Sequence, residues 1–138
     1  MREIKFRGYA VEEMVNSQWV EGFGVYEIKL AEHYVKEVGR DSDWVLYTYS
    51  GDYRVDPKSI GQYTGLKDKN GKEIYEGDIV RNGRGTLLKV FFDNGCFVTE
   101  GIDALSGDPV FRSLVTFANW SEVIGNIYEN PSLLEESE

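Results

Sequence analysis

Thr86-Leu87-Leu88-Lys89-Val90-Phe91-Phe92-Asp93-Asn94-Gly95-Cys96-Phe97-Val98-Thr99 decides the fold class. Two runs of β-branched and aromatic residues flank Asp-Asn-Gly, and that pattern reads as strand, tight turn, strand. Downstream, Ser106-Gly107-Asp108-Pro109 punctuates the chain before two more runs, Val110 to Phe117 and Val123 to Tyr128. Upstream, Ile79-Val80-Arg81 is a short strand closed by Asn82-Gly83-Arg84-Gly85. Strands at this close spacing suit a small barrel, so residues 78–128 are expected to form a five-stranded SH3-like one. Further upstream, Asp68-Lys69-Asn70-Gly71 is a turn whose Asn-Gly pair accepts the positive φ angles of a type I′ geometry. In Glu76-Gly77-Asp78 the acids and glycine open a strand, where side-chain oxygens satisfy turn amides. Asn70, Gly71, Gly77 and Asp78 are the structural turn residues of this half.

The N-terminal half carries the same signals less regularly. Ile4 to Arg7 alternates apolar and basic, Gln18 to Ile28 is a strand region bent at Gly22 and Gly24, and Trp44 to Tyr49 is a third strand. Leu30, Tyr34 and Val38 have helical spacing, but no clear cap supports a helix there. The class is therefore mostly β: a small SH3-like barrel in the C-terminal half and an additional N-terminal β region. A composition shift near Gly61 divides the chain into residues 1–60, residues 61–130 and an acidic tail, 131–138.

Composition narrows the function. The 138 residues are 41% hydrophobic and 14% aromatic with 3 Pro, which excludes a disordered chain. One Cys excludes an internal disulfide, and one His excludes multi-histidine metal sites. No apolar window is long enough to span a bilayer and the N-terminus has no signal-peptide core, so a reducing cytoplasm is expected. Of the net charge of −9, residues 90–138 hold Arg112 alone against nine acids. Phosphate-tracking needs basic runs, so direct nucleic-acid binding is disfavoured, and anionic membranes with it.

Catalytic motifs are missing. His33, between Glu32 and Glu37, reads as a surface histidine, and Cys96, beside Phe97, as a buried structural thiol. Gly65 to Lys72 has five residues between its glycines and Glu73 in place of the magnesium-binding hydroxyl, so it fails as a phosphate loop. Asp68-x-Asn70-Gly71 lacks the remaining ligands of a calcium loop. No catalytic, cofactor or metal residue is assigned, and no enzyme activity is expected. What remains is the aromatic excess, with Trp19, Phe23, Tyr26, Trp44, Tyr47 and Tyr49 as the candidate interaction surface.

Three stretches carry a resemblance. Tyr63-Thr64-Gly65-Leu66-Lys67-Asp68-Lys69-Asn70-Gly71-Lys72-Glu73-Ile74-Tyr75-Glu76-Gly77-Asp78-Ile79-Val80 resembles the hallmark of the YopX protein family. So do the opening Arg2 to Arg7 and the ending Val123 to Pro131. The resemblance implies a mostly β, phage- or prophage-encoded cytoplasmic protein, and it supplies no catalytic residues. The expected function is a non-enzymatic accessory module that binds a protein, either a bacterial host protein or a second copy, with contacts from Trp19 to Ile28 and Trp44 to Tyr49. The alternative is a nucleic-acid-linked role. It would act directly through Lys67, Lys69, Lys72, Arg81 and Arg84, or through DNA mimicry by the acidic C-terminal third.

Overall fold

The computed structural model describes residues 3–135. These divide into two compact units, Ile4–Gln62 and a second that begins at Tyr63.

In the first unit, β1 (Phe6–Tyr9) pairs antiparallel with β2 (Trp19–Gly22). The chain then forms β3 (Gly24–Lys29), α1 (Glu32–Val38), β4 (Ser42–Thr48) and β5 (Gly51–Val55). β3, β4 and β5 make an antiparallel three-stranded sheet in that order. Gly61 and Gln62, which open β6 (Gly61–Lys67), pair with β1. An isolated Ala10–Val55 bridge ties the strands together over a core of Ala10, Val20, Leu46 and Val55. Phe6, Trp44 and Ile60 pack on its margin.

Two sequence expectations change here. The strand region from Gln18 to Ile28 is two strands belonging to different sheets, broken at Phe23. The ambiguous stretch around Tyr34 is a helix, ended by Gly39 at φ 77°, whose N–H donates to Val35 O. A left-handed glycine is a common helix stop. No residue of α1 is buried, and Ala31 at its N-terminus supplies no side-chain cap, which is why the helical spacing stood without a start signal.

In the second unit the rest of β6 pairs with β7 (Glu73–Tyr75). Five further strands follow: β8 (Asp78–Arg81), β9 (Leu87–Asp93), β10 (Cys96–Ile102), β11 (Pro109–Ser113) and β12 (Glu122–Asn126). They form one antiparallel sheet in the order β11-β10-β9-β8-β12. The expected strand count is met, but the sheet does not close into a barrel. After β11 the chain makes two short 3-10 turns, buries Leu114 and Ala118, and returns β12 beside β8. β11 and β12 are thus the two edges. The core is Ile74, Val80, Leu88, Val90, Phe97, Leu114 and Ala118. A short helix, α2 (Ser132–Glu135), follows β12. The part of the acidic tail at 136–138 lies outside the described residues.

Three local findings refine the reading of the turns. At Asn70-Gly71 only the glycine is left-handed (φ 82°), and Asp68 N donates to Lys72 O around a three-residue loop. The type I′ geometry lies instead at Asn94 (φ 50°) and Gly95 (φ 82°), where Asp93 pairs with Cys96. That register corrects the reading of Cys96. It is the first residue after the turn and is exposed, with its Sγ 3.5 Å from Asp93 O. Apolar sequence neighbours do not bury a residue at the rim of a hairpin. A thiol reagent should therefore label Cys96 in the native protein at a rate close to that after unfolding. Strong protection of the native thiol would contradict this placement.

Candidate interaction surface

Strand alternation sorts the six aromatics of the candidate surface. Successive residues of a strand point to opposite faces. In β4, Trp44 and Leu46 face the first unit's core, while Val45 and Tyr47 lie on the opposite face, where Val45 is buried and Tyr47 is exposed. Trp44 accordingly packs against the first unit's core. It also lines a groove of about 440 Å³ with Val11, Arg40, Asp43, Arg54 and Pro57. In that groove Asp43 Oδ1 accepts from Arg40 Nε at 2.6 Å and lies 3.7 Å from Arg54 Nη1. The Arg40 hydrogen bond holds the Asp43 carboxyl below its usual range against the opposing effect of burial. Trp19 is elsewhere again. It meets Tyr9 edge-on at 5.4 Å and carries the Arg7 guanidinium over its ring at 4.6 Å.

The other four come together. Tyr47 stacks on Phe23 with centroids 6.2 Å apart and planes 9° apart, and Tyr26 lies 4.6 Å from Tyr47. Tyr49 lies 5.2 Å from Phe23. Phe23 is 48%, Tyr47 42% and Tyr49 99% exposed, so this contiguous array faces solvent. Contiguous exposed apolar patches often mark interaction sites. Its rim carries an acid: Tyr26 OH donates to Asp52 Oδ2 at 3.1 Å. Desolvation, then the hydrogen bond and charge of Asp52, push the Tyr26 phenol up to about 12. In Asp52→Asn the charge is gone, and the Tyr26 ring-carbon NMR signal should titrate at lower pH than in the wild type. An unchanged titration would contradict the Asp52 contact.

The turn residues form a structural knot. Asp68 is 5% exposed. Its Oδ1 accepts from Asn70 N at 2.8 Å and Lys72 N at 2.9 Å, and its Oδ2 from Val123 N at 2.9 Å. Buried Asp78 accepts from Tyr75 N at 2.8 Å through Oδ2, across the turn that holds Gly77 at φ 94°. These carboxylates are engaged by backbone amides, as the structural supports of turns are. Of the five cations proposed for nucleic-acid contact, Arg81 pairs with Glu122 and Arg84 holds Asp103 at 2.9 Å.

The knot belongs to the stretch that carried the resemblance, and a model of the YopX protein family matches residues 5–135. The chain belongs to the YopX family. Three chains of known structure also match this YopX protein. Among them is the crystal structure of protein EF1440 from Enterococcus faecalis, which is 25% identical over 97% of this chain and 99% of that one, with a TM-score of 0.49. No curated protein matches it. Among the described residues of the YopX chain no helix is long and apolar enough to cross a membrane.

Proposed function

We propose that this YopX protein is a phage- or prophage-encoded, non-enzymatic interaction module of the bacterial cytoplasm that holds a protein partner on the outer face of β3 and β4. The observation that carries this reading is the exposed, mutually touching array of Phe23, Tyr26, Tyr47 and Tyr49. Aromatic side chains supply large contact area at low entropic cost, and tyrosine adds a polar tip. A phosphate backbone fits this surface poorly, because Asp52 stands on its rim; in the second unit, Arg81 and Arg84 are paired with carboxylates.

The test is comparative. Purified wild type and the Phe23→Ala/Tyr49→Ala double variant are each used to capture proteins from host lysate. Both substitutions remove exposed rings, so circular dichroism and unfolding should change little. A protein retained by the wild type and lost by the variant supports the reading. Identical captures by the two proteins would sink it.

A further inference from the structure

We propose that two copies of the chain associate through the free edge of β3, antiparallel and centred on Ile28. β3 is an edge strand, and among the described residues its one strand neighbour is β4. The last three residues of β3, Glu27, Ile28 and Lys29, are all exposed. Ala31 keeps extended backbone (φ −63°, ψ 145°) before α1 begins at Glu32, so residues 25–31 are available for pairing. An open edge of this length is a template for another strand unless something blocks it.

Hydrogen-bond parity limits the register. Leu30 N donates to Asp41 O at 2.9 Å, so Leu30 is bonded toward the β4 side. Alternation along the antiparallel ladder places Ile28 and Tyr26 in the same class. The N–H and C=O groups of Val25, Glu27 and Lys29 therefore point to the open edge. A symmetric pair must join these outward groups to one another, which puts the two-fold axis on a residue. Centring on Glu27 sets two like carboxylates directly opposite, which is unfavourable. Centring on Tyr26 sets Val25 against Glu27 and leaves Lys29 without a counter-charge across the interface. Centring on Ile28 sets Glu27 of each copy against Lys29 of the other, and symmetry makes that contact twice. Within one chain Glu27 and Lys29 already approach to 3.1 Å, so the pairing builds an alternating set of charges. On the opposite face Ile28, 42% exposed alone, meets Ile28 of the second copy, and Tyr26 meets its Leu30. The charges that would repel other strands are thus self-complementary.

This inference goes beyond the aromatic array and does not require the array to bind anything. Light scattering should give twice the mass of one chain at high micromolar concentration. Lys29→Glu should weaken association by about ten-fold or more, because two favourable pairs become unfavourable. The Glu27→Lys/Lys29→Glu double reversal should restore it. In a Cys96→Ser background, Ile28→Cys should form a disulfide-linked dimer on mild oxidation, since a facing non-hydrogen-bonded pair has Cα atoms about 4.5 Å apart. Tyr26→Cys should not. A single-chain mass in the wild type overturns the inference, even if the Phe23→Ala/Tyr49→Ala variant still loses a lysate partner. So does a dimer indifferent to the charge variants, or one linked at Tyr26→Cys and not at Ile28→Cys.

Discussion

Asp68→Ala is expected to destabilise the second unit by about 3 kcal/mol, the loss of hydrogen bonds to a buried charged acceptor. The carboxylate is the meeting point of three backbone amides. Those of Asn70 and Lys72 lie in an exposed loop and can turn to water when the acceptor is removed. That of Val123 is half-buried and is held in place by the pairing of β12 with β8, so it adjusts least and carries most of the cost. Lys69 N donates to Ser121 O at 2.9 Å beside it, so the variant also loosens the clasp between the β6–β7 loop and β12. The urea midpoint of tryptophan fluorescence reads this directly, and an unchanged midpoint would falsify the structural role. The pH dependence has a definite sign. Burial raises the Asp68 pKa, but the bonds from Val123, Lys72 and Asn70 outweigh it, so the folded value lies below the ordinary one. A depressed folded pKa gives stability that is complete above the unfolded value of about 3.9 and is lost as pH falls through the folded one. The stability gap between wild type and Asp68→Asn should therefore be constant near neutrality and narrow below about pH 4.

Asp68 also shows where sequence reading ends. Its place in a turn is legible from Asp-x-Asn-Gly alone, because that pattern acts over four residues. Its bond to Val123 joins positions 55 apart and leaves no local trace. The β9–β10 hairpin is legible for the opposite reason. Its alternation, its Asn-Gly turn and its register all lie within one short stretch. Even there Cys96 misleads, since composition suggests burial and the turn position forbids it. The barrel expectation fails at a similar point: strand count follows from turn spacing, while closure depends on where Leu114 and Ala118 carry the chain after β11.

The aromatic surface is partly legible by simple parity. Trp44 and Tyr47 are three apart in one strand and so must face opposite ways, which places one in the core and the other in the array. Trp19 cannot be sorted by that rule from Tyr26, because the break at Phe23 resets the alternation between β2 and β3. The three-stranded sheet sets the array's geometry, and Asp52, the acid on its rim, comes from β5, directly across from Tyr47. It reads as unremarkable turn chemistry until the sheet register puts it beside the rings.

The break at Phe23 rests on Gly22, and Gly22→Ala should destabilise the first unit by about 3 kcal/mol or more, at the upper end of overpacking costs. The reason is space. A Cβ at Gly22 would stand 1.8 Å from Tyr47 O and 2.7 Å from Tyr47 C. Those are backbone atoms of the central strand β4, and they cannot rotate away as a side-chain tip can. Phe23 N donates to the same carbonyl at 3.0 Å, so pushing it aside also breaks the bond that positions Phe23. The stack of Phe23 on Tyr47 depends on that contact, and Gly22→Ala should therefore disorder the aromatic array in any molecules that remain folded. Gly24→Ala is the control. It lies two residues away in the same glycine-bracketed break, but its Cβ would make an ordinary 3.5 Å contact with Tyr47 Cδ2. Replacing a strand glycine where space allows should change stability by less than about 1 kcal/mol, in either direction. If chain flexibility were what the two glycines provide, both substitutions would cost the same, and equal midpoints in denaturant would refute the close-approach account. A large loss for Gly22→Ala alone would fix the Tyr47 carbonyl as the element that turns β2 into β3 and holds Phe23 on the exposed face.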